Sequence, residues 1–190
     1  VSNIEYILIT PANIEPLTLN EVKTHLRLDG NSSFDSQLTN LIKVAREYCE
    51  QITGRDLINK TYRALLNCMP KKLKIQKSKL QSIISIKYYS EGILQTLHSN
   101  EYYITQSNDY ALLIINNDLE LKLDDREQVI NIDFVAGYGA TADNIPQGIK
   151  QAMLSYITYL FENAGDCNDV GQFESLFTNY KIAENVLFFV

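Results

Sequence analysis

Between Asp35 and Gly54 the sequence DSQLTNLIKVAREYCEQITG sets Leu38, Leu41, Ile42, Ala45, Cys49 and Ile52 at intervals of three and four. That is the repeat of one helix face. Gln37, Asn40, Lys43, Glu47 and Glu50 fall on the other side, so the stretch reads as an amphipathic helix with a polar back. Ser32 or Ser33 is placed to cap its start, and Gly54 can end it in the left-handed conformation. Directly after Gly54 the apolar period changes to two, and the helical period returns only near residue 145. Helices that flank a long run of strands point to an α+β protein.

The helix before this one is marked as clearly. Thr18 followed by Glu21 is a capping box, and Leu17 and Val22 have the spacing of a hydrophobic staple. The expected helix is Leu19–Leu28, burying Val22 and Leu26, with residues 1–15 extended ahead of it and Pro11 and Pro16 as breakers. So short a link to the Asp35 helix predicts that the two pack together.

The strand region has several parts. In Tyr62–Met69, Tyr62, Ala64 and Leu66 alternate with Arg63, Leu65 and Asn67. In Ile83–Tyr89, Ile84, Ile86 and Tyr88 share a face, and Glu91-Gly92 reads as a hairpin turn into Ile93–Leu97. Tyr102–Gln106 and Tyr110–Asn116 flank a Ser107-Asn108-Asp109 turn, and Val129–Val135 closes the set. Past it, Asn144 is the expected cap of a helix over Ile145–Asn163, with Pro146 in the first turn and Gln147 completing a capping pair. Ile149, Ala152, Met153, Tyr156 and Leu160 form its stripe, and Leu154, Ile157 and Phe161 widen it. That surplus face requires cover either from the strand lobe or from another subunit. After a Gly165–Asn168 loop, Asp169 and Gln172 open a last helix with Phe173, Leu176, Phe177 and Tyr180, and the chain ends VLFFV. The whole reads as one domain, 1–190, with a helical part at 17–54 plus 145–184 and a mainly antiparallel β insert at about 56–136.

Charge and chemistry narrow the function. A net charge of −6 argues against wrapping nucleic acid, and the basic run Lys71, Lys72, Lys74, Lys77 and Lys79 reads as a solvated edge or loop. Three widely spaced cysteines, Cys49, Cys68 and Cys167, suit reduced thiols of a cytosolic product. No apolar run reaches membrane-spanning length and the first residues lack a basic-then-apolar pattern, which argues against a membrane or secreted protein. His25 reads as a satisfied, partly buried histidine, and His98 has no ligand-spaced neighbour. Asp124-Asp125 and Asp118/Glu120 read as turn acids, and Asp166–Gly171 lacks the closing glutamate of a calcium loop. Gly137-Tyr138-Gly139 is no phosphate cradle, since no helix opens there with GKS or GKT. No catalytic, cofactor or metal site is expected. The twelve tyrosines suit half-buried strands, or alternatively a monomeric tail or host-interaction module with a tyrosine-rich binding sheet.

Five segments carry a resemblance. EPLTLNEVKTHLRLDG (Glu15–Gly30), AREYCEQITGRDL (Ala45–Leu57), DFVAGYG (Asp133–Gly139), IPQGIKQAMLSYITYLFEN (Ile145–Asn163) and SLFTNYKI (Ser175–Ile182) together resemble the head–tail connector proteins of tailed bacteriophages, also called head-completion or adaptor proteins. Residues 70–128 match in general character alone. The family often carries Trp after the Thr-Gly-Arg and in the penultimate helix, where this chain has Tyr62 and Tyr159-Leu160. The resemblance implies a virion protein with a helical bundle and a β lobe, about a dozen copies of which form a head-to-tail ring. That ring would join the portal to the next tail or head-closure protein and continue a channel through which DNA passes without specific binding. It implies assembly in the bacterial cytoplasm, residence at the head–tail junction of phages, prophages or gene transfer agents, and no membrane partner; whether the isolated chain is monomeric stays open. Family members tend to dock their C-terminal segment on the portal. Candidate partner-binding residues are Leu154 and Phe161 on the surplus helix face and Leu187, Phe188 and Phe189 in the tail. The tail's alternative is a strand added to the protein's own sheet.

Overall fold

The computed structural model describes residues 4–75, 77–107, 110–116, 121–163 and 171–182. Two compact units form, Val1–Ala12 with Asn59–Tyr138, and Asn13–Ile58 with Gly139–Val190. All described strands lie in the first and all described α-helices in the second, so the class is α+β.

The strand unit holds β1 (Glu5–Thr10), β2 (Lys60–Leu66), β3 (Lys72–Ile75), β4 (Leu80–Ser90), β5 (Ile93–Thr96), β6 (Tyr102–Gln106), β7 (Ala111–Ile115) and β8 (Ile130–Ala136). They make a five-stranded sheet, β1-β2-β8-β4-β5, and a three-stranded sheet, β3-β7-β6, with every pairing antiparallel. The last described strand in sequence is thus the middle of the larger sheet. Its Ile130, Ile132, Phe134 and Ala136 are fully buried, and a single core draws on both sheets through Leu73, Ile75, Leu113 and Ile115. On the other face Asp133 accepts two hydrogen bonds from Arg63, at 2.7 and 2.8 Å.

One expectation changes here. Ile84 does not share the face of Ile86; it is 57% exposed, because irregularities between Leu80 and Ser82 and between Ile83 and Ser85 each shift the register against β8. An extra residue in a strand reverses which face its neighbours present. Within the basic run, Lys72–Ile75 forms the edge strand β3: Leu73 and Ile75 are buried, and Lys74 lies over the Tyr110 ring. The Glu91-Gly92 turn is as expected, with both residues at positive φ (53° and 74°) as a two-residue hairpin turn requires. Asp124 steadies it by accepting from the Gly92 N–H.

The helical unit holds α1 (Leu19–His25), α2 (Asp35–Thr53), α3 (Gln147–Glu162) and α4 (Gly171–Phe177), with 3-10 turns at Ala142–Asn144 and Thr178–Tyr180. Helix α2 packs on α1, α3 and α4. Leu38, Ile42, Ala45 and Cys49 are buried, while Leu41 and Ile52 are half-buried at the stripe's edges. Tyr48 stacks on Tyr156 of α3 at 4.5 Å between ring centres, and Phe177 meets Tyr48 edge-on.

Helix ends depart from expectation where a different partner wins the capping group. Helix α1 stops at His25 rather than Leu28: Arg27 turns left-handed (φ 58°), and the Arg27 and Leu28 N–H groups donate back to Thr24 and Lys23 carbonyls. Leu26 is accordingly half-buried. Neither Ser32 nor Ser33 caps α2; Phe34 holds that position without a side-chain bond, and the Lys23–Asp35 ion pair (2.7 Å) fixes the helix start instead. Asn144 does not cap α3. Its Oδ1 accepts from the Thr141 N–H and hydroxyl, closing the 3-10 turn, and Pro146 stands at the N-cap. The Gly165–Asn168 loop, the Asn108-Asp109 turn, Asp118/Glu120, Asp169, Cys167 and the VLFFV tail lie outside the described residues.

Candidate functional site

The segments that carry the resemblance and lie in the helical unit meet there. Thr18 and Glu21 start α1 with the expected capping box: Oγ1 of Thr18 accepts the Glu21 N–H at 3.2 Å, and Glu21 Oε2 accepts the Thr18 N–H at 2.6 Å. The Thr18 N–H is the main cause that holds the Glu21 carboxyl below its usual range; burial opposes it, and the Thr18 hydroxyl and the Lys150 charge add to it.

Ahead of this cap, Glu15 accepts from Arg46 Nε at 2.8 Å. Arg46 also donates to Glu50, one helical turn on, at 3.0 Å, and Glu50 takes the Leu57 N–H at 3.1 Å. Burial works against the Arg46 charge, but Glu15 and Glu50 together raise its pKa above the ordinary arginine value. Glu50 is therefore no part of a solvated helix back: its side chain is 12% exposed. Lys43 and Glu47 are exposed.

At the other end of α2, the Thr-Gly-Arg sequence holds the chain's last described turn. Gly54 adopts φ 68°, Arg55 Nε donates to the Tyr180 carbonyl at 2.7 Å, and the Ile182 N–H donates to the Thr53 carbonyl at 2.8 Å. The Tyr180 hydroxyl sits against Gly148 of α3 so closely that a Cβ there would collide with it. The glycine of IPQG, the arginine of TGR and the tyrosine of TNYK are thus parts of one clamp.

Between α1 and the first half of α3 runs a groove of about 490 Å³. Leu17 and Leu154 supply apolar wall, Asn20, Gln147 and Gln151 supply amides, and Lys150 reaches into it. Lys150 is 7% exposed as a residue, and its charge acts on the Glu21 carboxyl, which lines the same groove. Sequence reasoning passed over this residue, although its place three residues before Met153 and four before Leu154 sets it on the widened apolar stripe. His25 is on the rim and exposed, not partly buried as expected, because α1 ends there.

Of the expected site residues, Leu154 is half-buried on the groove wall. Phe161 is half-buried farther along α3, its ring edge-on to Phe34 at 5.2 Å, and Phe34 is itself 36% exposed. The two do not line one cavity. Leu187, Phe188 and Phe189 lie outside the described residues. Among the described residues no three His, Cys, Asp or Glu side chains converge as a metal set, and no helix is long and apolar enough to cross a membrane.

The family model of the head completion proteins matches residues 15–172. The chain belongs to that family. It is a structural protein of the virion and not an enzyme. Among solved structures, this head completion protein is similar to a chain from the neck of an empty gene transfer agent particle computed with C6 symmetry. The two are 17% identical with a TM-score of 0.76, over 96% of this chain and 97% of that one. A chain from the virion of a native gene transfer agent particle gives 17% identity and TM-score 0.77 over the same shares. One from the neck of a native particle computed with C12 symmetry gives 17% and 0.70, covering 97% of each chain. At this identity the likeness bears on the fold. No curated protein sequence matches the chain.

Proposed function

We propose that this head completion protein is the subunit of a ring at the head–tail junction, one that grips the portal, continues the DNA channel and offers a platform to the next tail or head-closure protein. The observation that carries this is the coincidence of the family match over residues 15–172 with a fold shared, over nearly the whole chain, with subunits of gene transfer agent necks. In such a ring of about a dozen copies, one patch of each subunit meets a different patch of the next. The helices of the second unit serve as the subunit's bundle; Leu154 and Phe161 are half-buried and available for such contacts. The tail residues Leu187, Phe188 and Phe189 are apolar anchors for a partner. A net charge of −6 suits a conduit that passes DNA without holding it.

Native mass spectrometry and negative-stain microscopy, on the protein alone and mixed with the portal protein of its own particle, test this. Rings of about a dozen subunits are expected in at least the mixture. A protein that stays monomeric and ignores its portal refutes the proposal, and would favour the binding-module alternative.

A further inference from the structure

Charge is distributed unevenly along the chain. Between Leu57 and Ser90 stand eight lysines and arginines and no aspartate or glutamate; with −6 overall, the rest of the chain is at −14. Five of the eight, Lys71, Lys72, Lys74, Lys77 and Lys79, fall within nine residues of the strand unit. Lys71, Lys72 and Lys79 are exposed, and none of the five forms an ion pair among the described residues. Lys74 and Lys77 lie over the Tyr110 and Tyr62 rings, 4.3 and 5.0 Å from their centres. A ring holds a cation without cancelling its charge. The backbone beneath is fixed: the Lys71 carbonyl accepts from the Ile115 N–H at 3.0 Å, and the Lys79 carbonyl from the Gly137 N–H at 2.9 Å. Within β3, Leu73 and Ile75 are buried, which leaves Lys72 and Lys74 on the solvent side.

Five like charges on a fixed platform repel one another, and a polyanion relieves them. Lysines on an edge strand also discourage edge-to-edge pairing. Only Lys72 and Lys74 lie on β3, so edge protection does not account for the run. Composition selects the polyanion. Protein–protein interfaces are depleted in lysine and enriched in arginine, and this run contains no arginine. Phosphate backbones are met by lysine as a point charge. We propose that the β3 edge with its flanking lysines is a sequence-independent contact for the phosphate backbone of duplex DNA. The choice of duplex DNA rests on the conduit reading above, and the proposal names the residues that meet it. The negative charge on the rest of the chain confines the contact to this edge, so DNA touches the subunit without being wrapped.

The test titrates the intact protein into two fluorescein-labelled duplexes of unrelated sequence and follows anisotropy across roughly 20 to 200 mM salt. Both duplexes are expected to bind equally, with log affinity falling against log salt at a slope of about −4, as neutralising four to five phosphates implies. Lys71→Gln/Lys72→Gln/Lys79→Gln alters exposed side chains alone and keeps both ring contacts. It is expected to flatten the slope by about 3 and to weaken binding about tenfold or more at low salt. Lys43→Gln, at an exposed lysine of α2, is expected to change neither. No binding at the lowest salt, a slope near zero, or an equal loss from Lys43→Gln overturns the proposal. So does a triple variant that binds DNA as the parent does but no longer engages the portal, which gives the edge to an acidic protein face. Ring formation by microscopy is read separately: rings built from a protein that ignores DNA refute the contact and leave the connector reading standing.

Discussion

Replacing Arg46 by methionine probes the arrangement that ties the N-terminal segment to the central helix. Methionine keeps much of the stem's bulk and removes the guanidinium. Three carboxylates contact that group, but unequally. Glu15 at 2.8 Å and Glu50 at 3.0 Å have side chains 30% and 12% exposed, whereas Glu47 at 3.3 Å is 69% exposed. Hydrogen bonds to charged groups contribute about 1.5–3 kcal/mol when shielded, and exposed pairs close to nothing. Discounting Glu15 for its exposure, and noting that Glu50 keeps the Leu57 N–H, Arg46→Met is expected to cost about 2–3 kcal/mol. For a chain of this size that lowers the melting temperature by roughly 5–10 °C. Urea unfolding followed by far-UV circular dichroism measures it, with the midpoint falling and the slope unchanged. Glu47→Ala is the control and is expected to stay within about 0.5 kcal/mol of the parent. The double variant Arg46→Met/Glu50→Gln is expected to lose less than the sum of its singles, since the two share one interaction. Equal, small losses for Arg46→Met and Glu47→Ala refute the reasoning, because the network would then be a screened surface cluster.

Gly54→Ala forces a Cβ into a left-handed residue at φ 68° and is expected to cost about 1 kcal/mol in the same urea assay; a gain in stability counts against the cap. Burial pushes the Cys49 thiol up to about 12, while Cys68 is exposed. In a Cys167→Ser background, Ellman's reagent at pH 8 is therefore expected to titrate Cys68 in the folded protein and Cys49 only after unfolding. Because the folded Glu21 carboxyl lies below its usual value, its contribution is present above the ordinary carboxylate range and is lost as pH falls through the lowered folded value. The stability difference between the parent and Glu21→Ala is thus expected to shrink in acid, and a difference that grows as pH falls reverses the assigned sign.

What the residues determine alone is what nearest neighbours in sequence can satisfy. The Thr18–Glu21 box, the Gly54 cap, the Glu91-Gly92 turn and the apolar stripes of α2 and α3 involve residues within a few positions of each other, so periodicity and capping chemistry specify them. The order and spacing of five short segments specified the family as well. Tertiary structure decided whatever depends on distant partners. Ile84 faces solvent because β4 meets β8 through irregularities that no local pattern encodes. Asn144 binds back to Thr141, and Lys23 reaches Asp35, so groups that suited one cap serve elsewhere. Glu50 passes from a helix's polar back to a shielded pair because Arg46 and the Leu57 N–H both converge on it. Lys150 is an ordinary helical lysine in sequence. Packing α3 beside α1 sets it on the wall of a groove together with Glu21, whose carboxyl feels its charge.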